Sequence, residues 1–175
     1  MECRSRAGID LTPGTVAFGV LVVVLLALAA ISMGGLSLLP APDEDDYDRT
    51  TVTVIDDGGN ELATVDVRVA DTFYKRYVGL SETESLGADE GMLFVHDEPG
   101  SYAYVMRDMA FPIDIVFIDA DGTITSIHHA PVEPDAGEGE LTEYEGYGQY
   151  VLEVPYRYTT EAGIEVGHRV RIDGY

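Results

Sequence analysis

A chain of 175 residues with 32 acids against 10 bases and a formal net charge of -22 has room for one domain core. It lacks the clustered Lys and Arg that a nucleic-acid backbone or an anionic membrane surface would require. The only cysteine, Cys3, excludes an internal disulfide, a thiolate metal site and thiol catalysis in the body of the chain. All of the net charge lies in residues 41–175, which hold 30 acids and 8 bases, and Lys75 is the only lysine. An acidic, lysine-poor surface on a chain with an ordinary apolar complement implies a high-salt setting. There the Debye length falls to about 3 Å at 1 M and self-repulsion is screened.

No charged residue stands between Leu11 and Pro42, and residues 15–39 pass the roughly 20 residues a bilayer-spanning helix needs. Arg4 and Arg6 precede this run; Asp43, Glu44, Asp45, Asp46 and Asp48 follow it. The positive-inside rule then gives a cytoplasmic N-terminus (1–14), a transmembrane helix (15–39) and an extracytoplasmic domain, hence a single-pass membrane protein. The run is long for the apolar part of a signal peptide, which favours an uncleaved anchor. The small residues at Ala30-Ile-Ser32 keep a cleaved signal, and a secreted domain, as the alternative. Residues 40–50 read as an acidic linker with two prolines, and residues 51–175 as a β-rich domain.

Thr51–Ile55 alternates and predicts a strand, Asp56–Asn60 a turn, and Glu61–Val69 the returning strand of a hairpin. Asp71 or Thr72 is placed to cap a short helix over Phe73–Val78, which Gly79 ends. Ser81–Glu84 has capping-box spacing and suggests another helical turn. Met92–Val95 and Ser101–Met106 read as strands around a turn at Asp97–Gly100. Asp108–Pro112 must be irregular, because Pro112 cannot donate to a ladder and restrains Phe111. Ile113–Ile118 and Thr123–His129 form a hairpin across Asp119–Gly122. Pro131–Gly148 reads as an acid-rich loop. Tyr150–Pro155 and Val166–Ile172 are the last strands, with a helical turn at Thr159–Ala162 between them. The expected fold is mainly β: a compact, barrel-like or curled antiparallel sheet with two or three short helices behind one transmembrane helix.

Several blocks, in order, carry a resemblance. They are Val69-Ala-Asp-Thr72 with Arg76 and Gly79-Leu80; Asp89-Glu-Gly-Met-Leu-Phe94; Met106-Arg-Asp-Met109 with Ile113-Asp-Ile115 and Phe117-Ile-Asp119; and Tyr150-Val-Leu-Glu153 with Gly163-Ile and Val166-Gly167. In these the chain resembles the uncharacterised family known as domain of unknown function number one hundred and ninety-two, in a haloarchaeal-type, membrane-anchored form. The resemblance implies a compact β-rich domain and no particular activity. Asp108 stands where the family usually has Asn. Ser81 and Thr83 replace a methionine and an arginine, and His168 replaces an acid.

The candidate ligand-binding residues are Arg107, Asp108 and Asp114, which flank the irregular Pro112 segment between two apolar strands. Arg107 would hold an anionic or hydroxylated group, and the carboxylates would accept hydrogen bonds. The structural alternative makes Asp114 a tie for the turn with Arg107 as its ion partner. His128 and His129 point to opposite faces of a strand, and no nucleophile elbow accompanies them. Asp119-Ala-Asp-Gly122 lacks the spacing of a calcium loop and reads as a hairpin turn. Tyr144, Tyr147, Tyr150, Tyr156 and Tyr158 offer flat contact area for sugars or proteins, or serve as core and rim. No cofactor or metal is expected. The leading functional expectation is an extracytoplasmic domain that binds a small polar ligand or an envelope partner. A hydrolase drawing carboxylates from Asp108, Asp114 and Glu153, and a structural envelope protein, are the alternatives.

Overall fold

The computed structural model describes Pro42, residues 46–137 and residues 139–175. The segment expected to span the membrane, 15–39, its N-terminal flank and most of the linker lie outside the described residues. Among the described residues no helix is long and apolar enough to cross a membrane.

Seven strands carry the fold: β1 (Asp48–Ile55), β2 (Glu61–Ala70), β3 (Glu90–Tyr104), β4 (Ile113–Ile118), β5 (Ile124–Ala130), β6 (Tyr144–Pro155) and β7 (Arg169–Ile172). Among the described residues two short helices, α1 (Phe73–Val78) and α2 (Tyr158–Ala162), accompany them. The strands form one curled sheet in the order β5-β4-β6-β3-β2-β1-β7, a half-barrel. Its two ends are bridged. Gly167 N donates to Ile124 O at 2.9 Å, Ile124 N to His168 O at 3.0 Å, and Val170 N to Gly122 O at 2.7 Å. These bonds occupy edge groups that would otherwise template pairing with another chain.

Period-two alternation sorts the central strands into two cores. Leu93, Val116, Ile118, Leu152 and Val154 join Val52, Val54, Val65 and Val67 in one cluster. Met92, Phe94, Ile113, Ile115, Phe117 and Val151 form the other, with Leu80 and Met106 packed over them. Strands buried on both faces read as unbroken apolar runs, which is why β4 is legible from its six residues.

The structure corrects several expected boundaries. β1 starts at Asp48, inside the expected linker, because Asp48, Arg49 and Thr50 pair with Val69, Arg68 and Val67 and the ring of Tyr47 is buried. The expected turn at Asp97–Gly100 is a bulge within one long strand: β3 pairs with β6 up to Val95↔Tyr150 and resumes at Gly100↔Gly148. β6 begins at Tyr144, so the acidic loop is shorter than expected. Ser81–Glu84 forms turns rather than a helix. The expected antiparallel sheet has one exception, β2 beside β3 in parallel, because α1 and its flanks carry the chain back across the sheet between them.

Candidate functional site

The chain between β2 and β3 builds one wall of a cleft. The Thr72 side chain accepts from Lys75 N at 3.2 Å and starts α1. Gly79, at φ 53°, ends it and lies against the Phe94 ring, which a β-carbon there would meet at 3.2 Å. Leu80 then enters the core. No residue of α1 itself is buried, and the Phe73 ring is 69% exposed. The helix is held by Arg76, whose Nη1 donates to Asp71 O at 2.7 Å and to Val95 O at 2.8 Å, the second at the bulge of β3.

The far end of β3 and the turn after it make the other wall. Arg107 crosses to α1: it donates to Tyr77 O and its guanidinium stands 4.1 Å from the centre of the Tyr77 ring. Between the walls lies a cleft of about 420 Å³, within the range of small-molecule sites. Its depth is aromatic. Tyr104 meets Phe94 edge-on at 5.0 Å, and its hydroxyl lies 3.0 Å from His96 Nε2. His96 is also stacked on Tyr102, with ring centres 3.5 Å apart.

Burial, then the nearby Arg76 charge, pushes the His96 imidazolium down to about 4, so His96 is neutral at neutral pH. Burial chiefly, with the Glu153 carboxylate second, raises the Tyr104 phenol above its ordinary range despite Arg76. Glu153, buried on β6, is itself pushed up to about 8 by desolvation. At neutral pH the charges lining the cleft are therefore the two guanidinium groups. None of the fifteen lining residues is an acid, and among the described residues neither Arg76 nor Arg107 has a carboxylate partner.

The three sequence-predicted site residues do not converge on one cleft: Arg107 and Asp108 border a common small cavity, and Asp114 lies apart from both. Arg107 lines the cleft. Asp108, its neighbour, takes a φ of 54° and lines a second, small cavity with Glu133 and Leu141, which Arg107 also borders. A left-handed backbone at this position suits Asn or Asp, whose short polar side chains tolerate it. Asp114 is fully buried and ties down the turn before α2. It accepts from His129 Nδ1 at 2.6 Å, Arg157 N at 2.9 Å, Thr159 N at 3.0 Å and Thr159 Oγ1 at 2.6 Å. Arg107 is not its partner.

A hydrolytic pairing of the three carboxylates is also not formed. In the β4–β6 register Ile115 faces Glu153 and Asp114 faces Val154, so Asp114 and Glu153 project from opposite faces of the sheet. Asp114, His129 and Thr160 (Thr160 Oγ1 to His129 Nε2, 3.4 Å) stand in the order of an acid–imidazole–hydroxyl relay. Thr160, however, lies exposed outside the cleft, and Glu161 N, the backbone donor after it, is already bonded to Arg157 O rather than free for an oxyanion. The C-terminal tyrosines do not all share one groove: Tyr144 packs near His128, Tyr150 near Tyr175, and Tyr156 near His129, while Tyr156 and Tyr158 border one pocket. Asp119 Oδ1 accepts from Asp121 N and Thr123 N and forms the hairpin turn.

Arg76, His96, Tyr102 and Tyr104 are site residues that the sequence reading missed. Two signals pointed to them: Arg76 stands in the first block of the resemblance, and Phe73 and Tyr77 lie on one face of a helix too short to need a buried stripe.

Fold and cleft define a small half-barrel domain with an aromatic, acid-free cleft roofed by a short helix. The chain belongs to the DUF192 family (Uncharacterized ACR, COG1430), which it matches over residues 53–172. No curated protein matches it in sequence. Among solved structures it is similar to a Sinorhizobium meliloti 1021 protein described as a "putative transcription regulator". That likeness has 27% identity and a TM-score of 0.66, and covers 74% of this chain and 97% of that one. It is also similar to a protein of unknown function from Novosphingobium aromaticivorans DSM 12444. There the identity is 25% and the TM-score 0.64, covering 75% of this chain and 91% of that one.

Proposed function

We propose that this DUF192 domain binds a small polar ligand in the cleft between α1 and the far end of β3. In this reading residues 15–39 anchor it to the cell membrane, and the domain faces a salt-rich medium outside. The observation that carries the binding reading is the lining of the cleft. Acids make up 32 of 175 residues, so fifteen residues drawn at random would bring about three; the lining brings none, and two arginines. Apolar walls with a few convergent polar groups are the usual make-up of a ligand site. Of the residues read from sequence, Arg107 keeps its ligand-contacting role; Asp114 is assigned to holding the turn before α2 and Asp108 to shaping the turn after β3. The regulator description of the Sinorhizobium protein suggests no nucleic-acid contact here, because this surface carries an excess of acids and a phosphate backbone would be repelled.

The test is a thermal-shift panel of sugars, nucleotides, carboxylic acids and divalent cations on the full chain, repeated with Arg107→Ala. The expected result is one class that raises the melting temperature of the parent, and a variant that melts near the parent but no longer responds. A panel without effect, together with unmoved NMR signals from Tyr104 and Tyr77, would end this reading. Protease added to intact cells should remove the domain; full protection would reverse the topology.

A further inference from the structure

We infer that the occupant of this cleft is an amphipathic anion: a single oxyanion group joined to a flat or branched apolar body. The inference rests on the binding reading above and names the ligand class. The argument starts from donors. Arg76 uses only Nη1 on protein carbonyls, and Arg107 uses only Nη2. The remaining guanidinium N–H groups have no protein acceptor among the described residues. A guanidinium edge of two parallel donors matches the two oxygens of a carboxylate, phosphate or sulfonate. His96 and Tyr104 hydrogen-bond each other, and at neutral pH neither adds charge. The lining thus offers positive charge with no internal counter-ion, inside a molecule of net charge -22.

The second half of the argument concerns the walls. Phe73, Tyr77 and Val105 expose large apolar surface at the mouth, while Leu80 and Phe94 lie buried at the base. A bare inorganic anion would satisfy the arginines and leave this surface wet. A neutral sugar would cover the rings and leave both guanidinium charges without a counter-ion. A ligand with an anionic head and an apolar body satisfies both, as half-buried guanidinium groups gain from an oxyanion partner and exposed apolar surface gains from cover.

The experiment is calorimetric titration of the full chain, at fixed ionic strength, with phenylpropionate and phenyl phosphate. Phenylpropanamide and inorganic phosphate are the matched controls. At least one aromatic anion should bind about tenfold or more tightly than the neutral amide and than inorganic phosphate. The stronger of the two identifies the head group. Arg107→Gln, which keeps a donor for Tyr77 O but removes the charge, should erase most of that preference while melting within a few degrees of the parent. Arg76 is the less useful site to change, because it also anchors α1. If the amide, or a sugar, binds as tightly as the anions and Arg107→Gln still weakens it, the ligand class is wrong and the cleft remains a binding site. If an anion preference survives Arg107→Gln unchanged, the class assignment to this cleft is overturned. If nothing binds at the cleft, this inference and the reading beneath it fall together.

Discussion

Replacing Asp114 by Asn separates a structural carboxylate from a ligand-binding one. The two oxygens accept four hydrogen bonds, two each, from His129 and Arg157 N on one and from Thr159 N and Thr159 Oγ1 on the other. An amide keeps one accepting oxygen and turns a donor toward the other pair. The threonine hydroxyl can rotate to accept; the backbone N–H cannot. At least one buried donor is left unmet, which costs about 1–3 kcal/mol, and the surviving bonds lose their charge assistance. The total is about 3–5 kcal/mol, as for breaking other buried charged networks, against a whole stability of about 5–15 kcal/mol. For a domain of about 130 residues the unfolding entropy is roughly 0.27 kcal/mol per kelvin, so Tm should fall by roughly 10–20 °C. Circular-dichroism melts of parent and variant measure this. A variant melting within about 3 °C of the parent while losing an identified ligand would refute the assignment and return Asp114 to the site.

Other expectations follow from the same contacts. Glu153 keeps its proton in the folded state up to about pH 8, whereas in the unfolded chain it ionises near its ordinary 4.5. The native state therefore binds the extra proton between those values, and this group's effect on stability worsens as pH rises through that window. The Tm of Glu153→Gln minus that of the parent should accordingly grow from about pH 5 to about pH 8; a constant difference would show that Glu153 is solvated. A β-carbon at Gly146 would lie 2.3–2.6 Å from ring atoms of Phe117, so Gly146→Ala should lower stability by about 1–3 kcal/mol or more, read as a lower Tm in the same melts. The full chain should melt at rising temperature toward molar salt, because screening relieves the repulsion among its 32 acids. A flat salt series would assign the acidity another purpose.

Local signals with one cause were legible in the sequence; signals with two causes misled. The six-residue run of β4 and the Thr72 cap with the Gly79 stop of α1 emerge where the residues place them. Asp97-Glu-Pro-Gly100 carries every mark of a turn, and the chain does leave the ladder there, but pairing with β6 resumes at Gly100 and makes a bulge. Gly146 and Gly148 suggest a loop for the same reason. Their cause is close approach: a β-carbon at Gly146 would strike Phe117, and one at Gly148 would lie 2.5 Å from Ile118 O. Glycine marks a loop and a crowded strand alike. The parallel pairing of β2 with β3 is a choice among strands that no single segment encodes.

The site shows the same division. Arg107, Asp108 and Asp114 are close in sequence, and closeness suggested convergence. A left-handed residue at 108 and the alternation of β4 part them: Arg107 stands between the cleft and a second cavity, Asp108 lines only that second cavity, and Asp114 holds a buried turn. The partners Arg107 does meet, Tyr77 and the Arg76 wall, come from some thirty residues earlier, where only the crossover between β2 and β3 brings them.

The acidic surface and the proposed anion site bear on each other physically. At low ionic strength a net charge of -22 repels an approaching anion over a range of about 30 Å at 0.01 M, far beyond the reach of two arginines. At molar salt the screening length shrinks to about 3 Å. The repulsion from distant carboxylates is then lost, while a guanidinium–oxyanion contact with its hydrogen bonds persists at contact distance, aided by the low dielectric of the aromatic walls. Removing carboxylates from the cleft lining is the one change that salt cannot make for the protein, since an acid inside the cleft would act at contact range. On the proposed reading, an acid-free lining within an acid-rich surface would let an anion be held in concentrated salt, and the apolar walls would supply the part of the affinity that salt strengthens.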